Sequence, residues 1–192
     1  MAAGVRRPYL AALAALLLGL GGWQLGHGVW IYAKAQLAQY LLQRAWQRTL
    51  QGEAHVKPWP WADTWPMARL QMPKHGVDLI LLAGASGRTL AFGPGHVSSS
   101  AIPGNRGTTI ISGHRDTHFR FLAHVSPGDE VFIEMPAKER YRYRVTRTDI
   151  VDARKAAVAT GFDGALVLVT CYPFESIIPG GPFRYIVTAE TW

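Results

Sequence analysis

Cys171, His114 and Arg184 are the residues of this chain whose types and positions suggest covalent chemistry. Cys171 is the single cysteine among 192 residues, and it closes the apolar run 165–170 just before Tyr172 and Pro173. A thiol at the mouth of a buried strand is a candidate nucleophile, because its thiolate attacks carbonyl carbon. Arg184 opens the strand-like run 184–188, and the run 108–112 leads directly into Gly113, His114 and Arg115. In such a trio the thiolate forms an acyl enzyme, the imidazole gives a proton to the leaving amine and takes one from the incoming amine, and the guanidinium stabilises the developing oxyanion. With reference pKa values of about 8.5 and 6.5, an uncoupled pair is thiolate–imidazolium only roughly 1% of the time, so a slow enzyme is expected unless Arg184 shifts that balance.

The elements that must position these groups read as strands. The runs 67–72, 77–82, 108–112, 130–135, 141–148, 165–170 and 184–190 are short, rich in β-branched or aromatic residues, and separated by Gly, Pro, Asp or Asn. Seven or eight strands imply a mainly β fold that closes into a barrel. If 165–171 and 184–190 pair as an antiparallel hairpin, the eleven-residue connection 172–182 makes Cys171 and Arg184 cross-strand neighbours. Whether His114 joins them is left open by the residue pattern. Ser86 to Leu90 is expected to form one helical turn, and 93–107 a loop along the substrate groove. The arginines of 140–147 alternate as the solvated face of a strand, which makes a nucleic-acid stripe the weaker reading.

Three segments resemble the signature of the sortases, cysteine transpeptidases that attach proteins to cell surfaces. They are Ser112-Gly113-His114-Arg115, Val169-Thr170-Cys171-Tyr172-Pro173 and Phe183-Arg184-Tyr185. The resemblance covers roughly 62–192. The Thr-Cys-Tyr-Pro-Phe form is most similar to class D-like sortases, and the Trp- and Pro-rich segment 58–66 is similar to the lead-in of the compact Gram-negative (class GN) members. The resemblance implies a closed sortase-type barrel with short helices that brings His114 to Cys171 and Arg184. It also implies a C-terminal sorting-signal peptide of Leu-Pro-x-Thr-Gly type on a partner protein, and an amine acceptor. Thr170, Tyr172, Ile177 and Ile178 are the expected peptide-contacting residues, although Thr170 serves equally well as an ordinary β-branched strand residue.

The first 52 residues carry Arg6, Arg7, Lys34, Arg44 and Arg48 and no acid, which leaves the remainder nearly balanced within a net charge of +7. That distribution fits a membrane-associated end and not a nucleic-acid groove. No formally charged side chain occurs in 8–33, a stretch long enough as a helix to cross a hydrocarbon core of about 30 Å. Trp23, Trp30 and Tyr32 suit its interface, and Arg6 and Arg7 favour a cytoplasmic N-terminus. The expected organisation is an anchor at 1–33, an amphipathic helix and Pro/Trp-rich linker at 34–61, and a catalytic barrel at 62–192. The expected location is a single-pass protein of the cell inner membrane with the barrel facing the periplasm or exterior. A cleaved leader is the rival reading, since 33–35 has the small-x-small form of a cleavage site.

A lone cysteine forms no internal disulfide, and an inert buried thiol is the ordinary alternative for it. No cofactor or metal is expected: His114, His118 and His124 come without a second cysteine or a cluster of acids. An L,D-transpeptidase would need a Ser-His-Gly-Cys arrangement that is absent. The remaining rivals are a cysteine endopeptidase that releases its product to water and a non-catalytic envelope barrel that binds a peptide strand.

Overall fold

The structure is a computed structural model that describes residues 6–137, 139–155, 163–176 and 180–192. The chain divides into two units, 1–40 and 41–192. Most of the first unit lies in helix α1 (Arg6–Leu50), whose 8–50 portion is long and apolar enough to cross a membrane. Leu13, Leu17, Leu20, Leu25 and Val29 are all exposed along it. The Lys34 ammonium lies 5.2 Å from the Trp30 ring centre, a cation and an aromatic ring of the kind found at bilayer interfaces. The stretch that reads as amphipathic from residue 34 onward is the continuation of the same helix.

The second unit contains eight strands: β1 (Pro66–Met72), β2 (Val77–Ala83), β3 (Gly95–His96), β4 (Thr108–Ser112), β5 (Glu130–Glu134), β6 (Arg140–Asp152), β7 (Ala165–Cys171) and β8 (Phe183–Thr191). They close into a barrel in the order β1-β2-β3-β4-β7-β8-β6-β5. The β2/β3 and β4/β7 pairs are parallel and the others antiparallel. Alternate side chains fill the interior, with Leu70, Met72, Leu81, Ile111, Ile133, Tyr143, Leu166, Leu168 and Val187 in one core. The last turns of α1 lay Leu42 and Trp46 on Ile80 and Leu82, on the outside of β2. A short helix α2 (Gly87–Leu90) begins at Ser86, whose hydroxyl accepts the Thr89 N–H at 3.2 Å, as expected for that turn.

Two elements differ from the sequence reading. The segment 93–107 is not all loop, because β3 within it bridges β2 and β4 and closes the barrel. Glycine is required there: a Cβ on Gly95 would lie 2.1 Å from the Gly84 carbonyl oxygen. Strand β6 also runs four residues past 148, where Asp149 to Asp152 pair with Ile186 to Phe183.

Ion pairs on a buried carboxylate tie the β1–β2 turn to the connection before β5. Asp129, 5% exposed, accepts from Lys74 Nζ at 2.5 Å and from the Ser126 N–H at 3.1 Å, and lies 2.7 Å from His75 Nε2. Burial pushes the Asp129 carboxyl up, but Lys74, His75 and the Ser126 N–H outweigh it and bring it down to about 2. Against an unfolded-chain value of about 3.9, the stabilisation it gives is fully present above that pH and is lost as the pH falls toward 2. Asp129→Asn should therefore destabilise the full-length chain by about 1–3 kcal/mol at pH 7 and lose that deficit in acid. Denaturant midpoints in detergent at pH 7 and pH 2 measure it, and equal midpoints at pH 7 would contradict it.

Candidate active site

Three neighbouring strands present the candidate residues at one end of the barrel. Along the parallel β4/β7 pair, Ser112 stands opposite Val169. The Gly113 N–H then donates to the Val169 carbonyl at 3.1 Å, and the Thr170 hydroxyl donates to the Gly113 carbonyl at 2.7 Å. His114 follows Ser112 by two residues and Cys171 follows Val169 by two, so both lie just past the last β4/β7 pairing. On the other side of β7, Cys171 pairs with Arg184 of β8. The Tyr172 N–H donates to the Phe183 carbonyl at 3.1 Å. That bond makes Cys171–Arg184 the adjacent non-hydrogen-bonded pair, the type whose Cα atoms approach to about 4.5 Å.

Strand alternation decides which way these side chains face. Leu166, Leu168, Val187 and Ala189 occupy the interior, so Cys171 and Arg184 share the outer face with Val167, Val169 and Ile186. Together with Ile110, Val97 and Val151 these form an apolar strip that leads to the thiol. Cys171 is half-buried and free, and His114 is exposed. Arg184 donates through Nη1 to the carbonyls of Gly181 at 2.8 Å and Phe183 at 2.9 Å.

The histidine segment is drawn onto the core by its neighbours. The His114 carbonyl accepts the Phe119 N–H at 3.0 Å, and Phe119 is fully buried. A Cβ on Gly113 would meet that ring at 2.7 Å, so the residue before the imidazole must be glycine for the segment to pack this closely. His118 is half-buried, and its pKa is pushed down by burial and then by the nearby His114.

The expected peptide contacts divide. Thr170 is 2% exposed and its hydroxyl holds β7 to the His114 segment, a use of that group within the protein. Tyr172 is half-buried and stacks on Tyr185 with centroids 6.2 Å apart, and Phe174 meets both rings edge-on. Ile177 and Ile178 lie outside the described residues. Asp152 accepts a fork from Arg154, which holds its carboxyl below the ordinary range.

Arg115 carries no role in the sequence reading, yet it is 4% exposed and cross-links this end of the barrel. Its guanidinium donates to the Asp116 carboxylate, to the Pro173 carbonyl and to the Ser176 carbonyl. An arginine directly after a histidine gives no local signal of burial, since its partners stand 58 and 61 residues away. A separate cavity of about 1130 Å³ opens at the opposite end of the barrel, lined by Trp65, Met67, His96, Ser98, Ser100 and Ile102 among others. The segment around Ser98–Ile102 borders that cavity.

The sortase-domain family model matches residues 70–192. Sortase D of Bacillus subtilis (strain 168) is 34% identical over 120 residues, which span 62% of this chain and 60% of the relative, less than two thirds of its length. Among solved structures, a Clostridium perfringens sortase D5 transpeptidase is similar in fold, with a TM-score of 0.62 at 21% identity over 82% of this chain and 99% of that one. The pilus-related sortase C of Group B Streptococcus gives a TM-score of 0.56 at 27% identity over 66% of this chain and 67% of that one. The family match covers β2 to β8 and the ends that carry His114, Cys171 and Arg184, and with the closed eight-stranded barrel it shows that the chain belongs to the sortase family.

Proposed function

We propose that this protein is a membrane-anchored transpeptidase that cleaves a C-terminal sorting signal of Leu-Pro-x-Thr-Gly type and joins the new carboxyl end to an amine. The observation that carries the reading is the pairing of Cys171 with Arg184 on β7 and β8, beside the end of β4 from which the His114 segment leaves. The apolar strip of Ile110, Val167, Val169 and Ile186 supports it, because a peptide laid along that strip reaches the sulfur with its hydrophobic residues covered.

The chemistry balances with these groups alone. The Cys171 thiolate adds to the threonine carbonyl carbon, and Arg184 donates hydrogen bonds to the oxyanion. The C–N bond to glycine breaks as protonated His114 gives its proton to the departing amine, leaving a thioester. An incoming amine loses its proton to His114 and attacks the thioester carbon, and the sulfur departs as thiolate. The same reading makes 1–33 the anchor, with a cytoplasmic N-terminus, 34–61 the helix end and linker, and 62–192 the catalytic unit facing the periplasm or exterior.

The test uses the full-length chain in detergent with a Leu-Pro-x-Thr-Gly pentapeptide. The expected result is a mass increase at Cys171 equal to the acyl fragment, with turnover that rises when a glycine-based amine is added and yields the joined product. Release of only the free acid, unaffected by amine, would make it an endopeptidase. An unmodified and slowly alkylated thiol would favour a peptide-binding barrel.

A further inference from the structure

Arg115 is more deeply buried than its charge accounts for, and its contacts give the reason. Nε and Nη2 form a fork on the Asp116 carboxylate at 2.7 and 3.1 Å. Nη1 donates to the Pro173 carbonyl and Nη2 to the Ser176 carbonyl, each at 2.7 Å. Pro173 and Ser176 are the second and fifth residues after Cys171, and Arg115 immediately follows His114. One planar group thus ties the segment behind the thiol to the segment that carries the imidazole. The Asp116 carboxylate raises the arginine's pKa against the effect of burial, and the nearby Cys171 and Glu175 add to the rise, which also puts the cation within electrostatic reach of the sulfur.

The sheet fixes only one partner of the catalytic pair, Cys171, which β7 holds opposite Arg184 of β8. His114 lies past the last β4 pairing, and the connection after Cys171 contains Gly180 and Gly181 with φ of +88° and +89°. We infer that Arg115 is a positioning residue for acyl transfer: by holding the Pro173 and Ser176 carbonyls against the His114 segment it sets the separation of thiol and imidazole. This rests on the transpeptidase reading above. A lysine keeps the charge but offers one compact ammonium that cannot span two carbonyls and a carboxylate, so it should restore function only in part.

The experiment measures pentapeptide turnover by the wild-type full-length chain in detergent and by Arg115→Gln, Arg115→Lys and Arg142→Gln, the last an exposed control on β6, 52% accessible at its side chain. A displaced pair of reacting groups costs rate while leaving substrate affinity in place, so Arg115→Gln should lose about 100-fold in kcat with KM within about threefold. Arg115→Lys should recover about tenfold of that loss, and Arg142→Gln should match the wild type. A purely structural arginine would lower the melting temperature and leave kcat per folded molecule unchanged, and that outcome overturns the inference, as does a loss confined to KM. If Arg115→Gln does not fold, Arg115→Lys decides: a kcat about tenfold below wild type at similar KM supports the clamp, and wild-type kcat overturns it. Absence of turnover in the wild type sinks the transpeptidase reading and this inference with it, whereas normal wild-type turnover with an unaffected Arg115→Gln sinks this inference alone.

Discussion

Cys171→Ala should leave the full-length protein folded and reduce pentapeptide cleavage to background, a loss of at least about 10⁴-fold in kcat/KM, with no acyl adduct by mass spectrometry. The fold should survive because the side chain belongs to the half-exposed outer face and not to the interior packing of Leu166 and Leu168. Removing one sulfur from such a position changes stability by less than about 1 kcal/mol. The chemistry should not survive, because the other polar groups at this end cannot replace a covalent acceptor: in the proposed mechanism His114 supplies protons and Arg184 supplies charge, but neither holds the acyl group. Cleavage by the alanine variant at a rate near that of the wild type would remove Cys171 as nucleophile, whatever the family.

How much of this site is readable without coordinates depends on how far apart in sequence its parts lie. Seven strands are legible from β-branched runs bounded by turn residues, and the Cys171–Arg184 pairing follows from the length of the hairpin connection. The β4/β7 pairing that sets the end of β4, and so the start of the His114 segment, beside β7 is parallel, joins segments 57 residues apart, and has no local signature. There the family resemblance supplies what the residue pattern leaves open. Strand β3 is invisible for a different reason: Gly95 and His96 have no strand propensity, and the pair is held by the close approach of Gly84 to a residue without a side chain. Arg115 escapes notice because burial of a cation is decided by distant carbonyls. Thr170 reads ambiguously as substrate contact or strand residue, and the hydrogen bond to Gly113 shows how its hydroxyl is used in this conformation.

The arginine opposite the thiol carries the second large effect. Arg184 pairs directly with Cys171, yet its guanidinium is drawn toward its own loop by the carbonyls of Gly181 and Phe183. Donors that act on an oxyanion contribute where charge develops, so their loss appears in kcat much more than in KM. Arg184→Ala should therefore lower kcat by about 10²–10³-fold, the range for removal of one such donor, with KM changed by less than about fivefold. Arg184→Lys should recover part of the loss, since an ammonium keeps the charge and loses the planar fork. A residue that only organised the 180–183 backbone would give another pattern: KM would rise if the loop proposed to contact the peptide loosened, and a lysine able to bind the same two carbonyls would restore turnover almost fully. The split between kcat and KM across the two variants, read together with the acyl-adduct yield, therefore separates charge stabilisation from loop support. Wild-type kcat in Arg184→Ala would show that the oxyanion finds its donors elsewhere on this end of the barrel.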